Sequence, residues 1–345
     1  WGNLLETQGR VEEAMAKYEQ ALAARPGDEY AYYNLAKIAE KQGDTAAAED
    51  LYRKAMLNNP RNSFIPNDLA LLEARLGKRE DVDSLYAKAL EIDPKNPVIY
   101  NNIGCDAYQT GNKEKAVENY KKALELMPDF VLALNNLGTA LGELGRRDEA
   151  IDYYKKALEF RPDEGNIHNS LGYQYYLKTD YDNARAEYNE ALRLIPRYPL
   201  ALNNLGNLER AQDHLDAALE NYRKALEVFP GDKFAHYNIA GVLARQGKPG
   251  EALAEYRLAF ENAPENADIA NDLANALAQQ GNYAEAVTFY EKALAANPNH
   301  AGAQCNMGLV LAAMGEKDRA KGALQRALEL DPKLEAARAA LNELQ

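Results

Sequence analysis

The stretch from Val131 to Glu164 reads VLALNNLGTALGELGRRDEAIDYYKKALEFRPDE. Small or apolar residues at Leu134, Leu137, Gly138 and Leu141 follow the i, i+3, i+4, i+7 spacing of one helix face. A second helical pattern follows, with Ala150, Tyr154 and Ala157 on one side. Gly145 lies between the two, where a residue in the left-handed region costs glycine little. The prediction is a pair of helices joined by a short turn. Prolines then fall at 26, 60, 94, 128, 162, 196, 230, 264, 298 and 332, a spacing of 34 without slip. Proline cannot continue a helix interior, so each marks the link to the next unit.

Counted from Glu29, nine full 34-residue units run 29–62, 63–96, 97–130, 131–164, 165–198, 199–232, 233–266, 267–300 and 301–334. Residues 1–28 are the tail of an earlier unit, and 335–345 read as a short C-terminal capping helix. Trp1 and Gly2 begin inside a unit, which suggests a piece of a longer polypeptide. A strict period means that length counts repeats and not domains, so 1–345 is expected to form a single all-α solenoid.

Glycine or alanine holds the eighth position of each full unit, where it lets the second helix approach closely; Gly104, Gly138, Gly172, Gly206 and Gly308 are the glycines. A tyrosine recurs in the second helix at 18, 52, 86, 120, 154, 188, 222, 256 and 290, as expected of a residue that fills the gap between units with its hydroxyl at the rim. Thr179 and Asp213 replace the turn glycine, which predicts turns that are either strained or differently built. Unit 63–96 is irregular: Pro66 falls in a first turn, Glu73 stands at an apolar position and Val82 replaces a small alanine.

Composition narrows the function. Net charge is −13, with 53 acidic against 40 basic residues, which disfavours a nucleic-acid partner. No apolar run is long enough to cross a bilayer, and no signal peptide opens the chain. The two cysteines, Cys105 and Cys305, are six repeats apart, without metal-ligand spacing or a disulfide framework. That usage slightly favours the cytoplasm over an exported location. His168 and His236 occupy packing positions, His214 and His300 lie in turns, and no catalytic or phosphate-binding motif appears. No catalytic residue, metal site or cofactor is expected.

The placement of Leu, Gly, Tyr, Ala and Pro at fixed offsets in 131–164, repeated along essentially all of the chain, resembles the tetratricopeptide (TPR) repeat family. The resemblance implies a right-handed α-α superhelix of stacked helix pairs. It also implies that the first helices line a concave groove, used to bind peptides or to scaffold complexes.

In each first helix, positions 2, 6, 9 and 13 face away from the helix's own partner. Position 6 is Asn34, Asp68, Asn102, Asn136, Ser170, Asn204, Asn238, Asp272 and Asn306 in turn. Asparagine is a mediocre helix former, and its amide offers a donor and an acceptor together, which suits an extended peptide backbone. The ladder resembles that of the TPR domain of O-linked N-acetylglucosamine transferase, from which Asp68, Ser170 and Asp272 depart. The alternative is that these side chains bridge neighbouring units or face water. Tyr108, Tyr173 and Tyr176 would add an aromatic wall, and Asn207 and Asn275 further amides. Lys41, Arg75 and Arg245 occupy position 13 only in separate units, so no carboxylate clamp for chaperone tails is assembled.

The leading reading is a non-catalytic scaffold that binds an extended or helical segment of a protein partner. The alternatives are the substrate-recruiting TPR domain of a larger enzyme, such as a protein glycosyltransferase, and a self-assembly module joined end to end.

Overall fold

The computed structural model describes residues 1–344; Gln345, the last residue of the expected cap, lies outside them. The chain divides into two compact units, Trp1–Asp163 and Glu164 to the C-terminus. The first holds α1 (Gly2–Thr7), α2 (Val11–Ala24), α3 (Glu29–Gln42), α4 (Thr45–Asn58) and α5 (Phe64–Arg75). It continues with α6 (Val82–Ile92), α7 (Pro97–Gln109), α8 (Lys113–Leu126), α9 (Val131–Glu143) and α10 (Arg147–Phe160). The second holds α11 (Gly165–Leu177), α12 (Tyr181–Leu194), α13 (Pro199–Ala211), α14 (Leu215–Val228), α15 (Lys233–Arg245) and α16 (Pro249–Glu261). After these come α17 (Ala267–Gln279), α18 (Tyr283–Ala296), α19 (Ala301–Ala313), α20 (Lys317–Leu330) and α21 (Glu335–Glu343). Among the described residues there is no strand, and the fold is all-α.

Within each unit an odd-numbered helix pairs with the even-numbered one that follows, and that helix packs on the next pair. First helices of consecutive repeats also touch: α5 with α7 and α7 with α9 in one unit, α11 with α13, α13 with α15 and α17 with α19 in the other. Within each unit they therefore share one face.

Helix ends follow from local chemistry. Asp28, Asn96, Asp232 and Asn266 cap first helices through their side chains, and Asp44, Asn112 and Asp180 cap second helices. The turn glycines sit at positive φ, Gly145 at +76°. Thr179 (φ 60°) and Asp213 (φ 66°) are held in the same left-handed conformation without glycine's freedom, so these turns are strained and not differently built.

Close approach at position 8 is made against a ring. A Cβ built on Gly206 would lie 2.5 Å from Cε1 of Tyr222, and one on Gly104 2.6 Å from Cε1 of Tyr120. Tyr52, Tyr120, Tyr154, Tyr188, Tyr222 and Tyr290 are fully buried. Several of their hydroxyls find a side chain at position 9 of their own repeat. Tyr222 donates to Asn207 Oδ1 (2.8 Å), Tyr290 to Asn275 Oδ1 (2.7 Å) and Tyr120 to Cys105 Sγ (3.5 Å), while Tyr154 pairs with Thr139 (3.0 Å). Where position 9 is Leu71 or Tyr173, the hydroxyls of Tyr86 and Tyr188 are buried without a partner.

In the irregular repeat, Pro66 sits in the first turn of α5 as expected, and α6 starts only at the buried Val82. Glu73 is buried and paired with Arg53 (2.6 Å), which also reaches Asp81 (3.2 Å) and Glu49 (3.4 Å). Glu209 occupies the same repeat position in α13, buried, and hydrogen-bonded to Arg185 and His214.

Candidate protein-interaction site

The shared face of the first helices carries the position-6 side chains, and their amides turn along the stack. In the first unit Asn102 Nδ2 donates to Asn67 Oδ1 (3.0 Å). Asn136 Nδ2 donates to Asn101 Oδ1 (3.1 Å) and lies 3.4 Å from Cys105 Sγ. In the second unit Asn204 Nδ2 donates to Asn169 Oδ1 (2.9 Å), and Asn306 Nδ2 to Asn271 Oδ1 (3.2 Å) and Asn275 Oδ1 (3.0 Å). Asn34 Nδ2 reaches Asn3 Oδ1 at 3.4 Å. The recurrent rung thus joins position 5 of one repeat to position 6 of the next, 35 residues on.

Both aspartates in the ladder have the same explanation. Asp68 accepts the hydroxyl of Tyr33 (2.5 Å), and Asp272 that of Tyr237 (2.6 Å). Tyr33 and Tyr237 hold position 5, where the other rungs place an asparagine. A phenol donates one hydrogen bond, so the facing side chain is best an acceptor, and a carboxylate is acceptor-only. Sequence reasoning singled out position 6 and missed its partner. The readable signal was the second asparagine series, Asn67, Asn101, Asn135, Asn169, Asn203 and Asn271, interrupted by tyrosine one repeat before each aspartate.

The remaining predicted residues are distributed as follows. Position 9 was expected to face away from the helix's own partner; instead Asn207 and Asn275 accept the hydroxyls of Tyr222 and Tyr290 on that partner, and Asn275 Nδ2 also donates to Asp272 Oδ1 (3.3 Å). Tyr108 is hydrogen-bonded to Glu143 across to the next first helix. Tyr173 is exposed and stacks on Tyr176 (centroids 6.4 Å apart, planes at 20°), which in turn contacts Tyr181. His236 is buried, with Nδ1 2.6 Å from Glu255 and Nε2 2.9 Å from the carbonyl of Pro230, a packing role.

Position 2 is the face's apolar edge. Tyr30, Phe64, Val98 and Leu132 are exposed there in the first unit, and Leu200 and Phe234 in the second. Between α13 and α15 this edge borders a concavity of ≈ 620 Å³. Its apolar wall includes Tyr198, Leu200, Phe229, Phe234 and Tyr237, and its polar wall is Asn203, Asn204, Asn207, Asn238, Arg210 and Asp232. Predicted site residues Asn204, Asn207 and Asn238 are brought together here.

Profiles described as tetratricopeptide repeat match residues 1–62, 203–262, 242–301, 131–164, 277–344 and 163–231, and one described as TPR repeat matches 106–145. The chain belongs to the tetratricopeptide repeat family. No curated protein sequence matches it at the same stringency. Among solved structures, this TPR chain is similar to the APC/C hetero-tetramer Cut9–Hcn1 (TM-score 0.57, 19% identity, 99% of this chain and 74% of that one). It is also similar to yeast Tom70 (TM-score 0.56, 17% identity, 99% and 93%). Pseudomonas aeruginosa pilF matches a shorter part (TM-score 0.55, 21% identity, 63% and 97%). At these identities the likeness is one of fold, the stacked TPR helix pair. No helix among the described residues is long and apolar enough to cross a membrane.

Proposed function

We propose that this TPR chain is a non-catalytic protein-interaction scaffold that holds an extended segment of a partner against the face of its first helices. The concavity between α13 and α15 carries the reading. Leu200 and Phe234 are 52% and 59% exposed there, one repeat apart, beside a row of side-chain amides. Large apolar side chains exposed at the edge of a concave, amide-lined surface are suited to anchoring a peptide, whose backbone needs both donors and acceptors. The asparagines engaged in rungs support the groove by holding neighbouring first helices in register, so their contribution to binding is largely indirect.

The test is a display library of short random peptides selected on the full chain and on the Leu200→Asp and Phe234→Asp variants. Both side chains are more than half exposed, so the variants keep the wild-type fold by circular dichroism. Peptides enriched on the wild type are expected to lose binding to both. Unchanged binding places the recognition surface elsewhere and defeats the proposal.

A further inference from the structure

In the second unit the ladder has an open rung. Position-5 and position-6 side chains bond across the repeat boundary at Tyr33–Asp68, Asn67–Asn102, Asn101–Asn136, Asn169–Asn204, Tyr237–Asp272 and Asn271–Asn306. By the same rule Asn203 Oδ1 should accept from Asn238 Nδ2. It does not. Asn238 instead accepts a hydrogen bond from Arg210 Nη1 through its own Oδ1 (3.3 Å). Asn203 donates to Asp232 Oδ2 (2.6 Å), and its Oδ1 is buried without a partner, in a residue only 6% exposed. Native proteins leave few buried polar atoms unpaired, because each costs about 1–3 kcal/mol. Asn203 is among the residues that line the ≈ 620 Å³ concavity.

One carboxylate, Asp232, and one guanidinium, Arg210, flank the open rung, and they do not pair with each other. Asp232 has both carboxylate oxygens occupied, Oδ1 by the backbone N–H groups of Phe234 (2.9 Å) and Ala235 (3.3 Å), and Oδ2 by Asn203. Arg210, half-buried, makes only the long bond to Asn238 and no ion pair among the described residues. The arginines at the two buried glutamates, Arg53 at Glu73 and Arg185 at Glu209, face carboxylates directly. A guanidinium can serve a carboxylate with two parallel N–H donors, so Arg210 is a cation held in the groove without its preferred partner.

We infer that the Asn203–Asn238 step is the groove's specificity point, which takes an extended segment carrying a carboxylate next to a large apolar side chain. This rests on the groove reading above. Asn203 Oδ1 accepts a backbone N–H of the segment and Asn238 Nδ2 donates to a backbone carbonyl. The segment thereby completes the rung that the protein leaves open. Arg210 pairs with the carboxylate, and the apolar side chain lies against Leu200, Phe229 and Phe234. The chemistry is that of an acidic-apolar peptide, a preference that a net charge of −13 would not suggest.

The experiment extends the peptide selection to Arg210→Gln and Asn238→Asp. The second variant supplies Arg210 with a carboxylate from within the protein. Peptides selected on the wild type are expected to share an Asp or Glu beside an aromatic or aliphatic residue. Changing that acid to its amide should weaken wild-type binding about tenfold or more, as for loss of a charge-assisted hydrogen bond. On either variant the acid and the amide should bind alike. Absence of acid enrichment, or an acid preference retained in Arg210→Gln, overturns the inference, and the groove reading then stands if Phe234→Asp still abolishes binding. Peptides that bind Phe234→Asp as well as wild type overturn the groove reading, and failure to select any peptide overturns both.

Discussion

Glu73 and Glu209 occupy the same repeat position, both are buried, and the same substitution at each should change stability in opposite directions. Burial pushes the Glu73 carboxyl above its ordinary value, and the nearby Arg53 does not overcome it. Replacing Glu73 by leucine removes one hydrogen-bonded ion pair, yet Arg53 is 41% exposed and keeps Asp81 and Glu49, so no cation is stranded. Burying leucine contributes about 1.5–3 kcal/mol, against a partly solvated pair at the low end of about 1.5–3, for a net gain of about 1 kcal/mol at neutral pH. At Glu209 burial also pushes upward, but hydrogen bonds from Arg185 and His214 together outweigh it and hold the carboxyl below its usual range. Leucine there breaks both bonds and leaves Arg185, 34% exposed, with only Gln212. The expected cost is about 2 kcal/mol.

The pH dependence of the two sites separates them further. A raised folded-state pKa means that Glu73 contributes fully below its unfolded value of 4.5 and loses that contribution as pH rises through the folded value. The gain from Glu73→Leu should therefore be largest at neutral pH and shrink in acid. A depressed pKa means that Glu209 contributes above 4.5 and loses its contribution as pH falls through the folded value, so the deficit of Glu209→Leu also shrinks in acid. Because a repeat stack is stabilised largely by nearest-neighbour contacts, whole-chain melting blurs local effects. Native-state hydrogen exchange at the amides of α5–α6 and α13–α14 is the suitable assay. Equal signs at the two sites would refute the argument that residual carboxylates near Arg53 decide the outcome.

The buried tyrosines give a second contrast by the same exchange measurement. Tyr86→Phe and Tyr188→Phe remove hydroxyls that lack partners and should be neutral or stabilising, whereas Tyr222→Phe and Tyr290→Phe should each cost about 1 kcal/mol. Gly241→Ala, with nothing within 4 Å of the new methyl, should gain about 0.5–1 kcal/mol in thermal or exchange stability. Gly206→Val should lose about 2 kcal/mol or more, because its Cβ meets the buried ring of Tyr222. Thr179→Gly relieves a left-handed φ of 60° and should stabilise the α11–α12 turn by about 1 kcal/mol; slower exchange there is the readout. Size measurement across concentration tests end-to-end association, and a monomer throughout would discard it.

The sequence alone determined the repeat, the helix pair, its turns and its packing residues. These depend on contacts within one unit: a period of 3.6 for a buried stripe, a glycine at a positive-φ turn, a small residue facing a tyrosine. Such requirements recur every 34 residues and are visible without coordinates. Even the strained turns at Thr179 and Asp213 could be read as missing glycines. Which side chains the asparagines bond was visible only in the tertiary structure. An amide at mid-helix can face a ligand, water or a neighbour, and helical periodicity does not distinguish among them, because the competing partner lies 35 residues away on another helix. The structure paired Asn102, Asn136, Asn204 and Asn306 with the preceding repeat and explained Asp68 and Asp272 through Tyr33 and Tyr237. It also exposed the step at Asn203 and Asn238, where Asn203 donates to Asp232, Asn238 accepts from Arg210 and the rung stays open. Hydrogen-bond completion is a property of assembled neighbours, and here side chains from outside the rung, Asp232 and Arg210, engage both of its members.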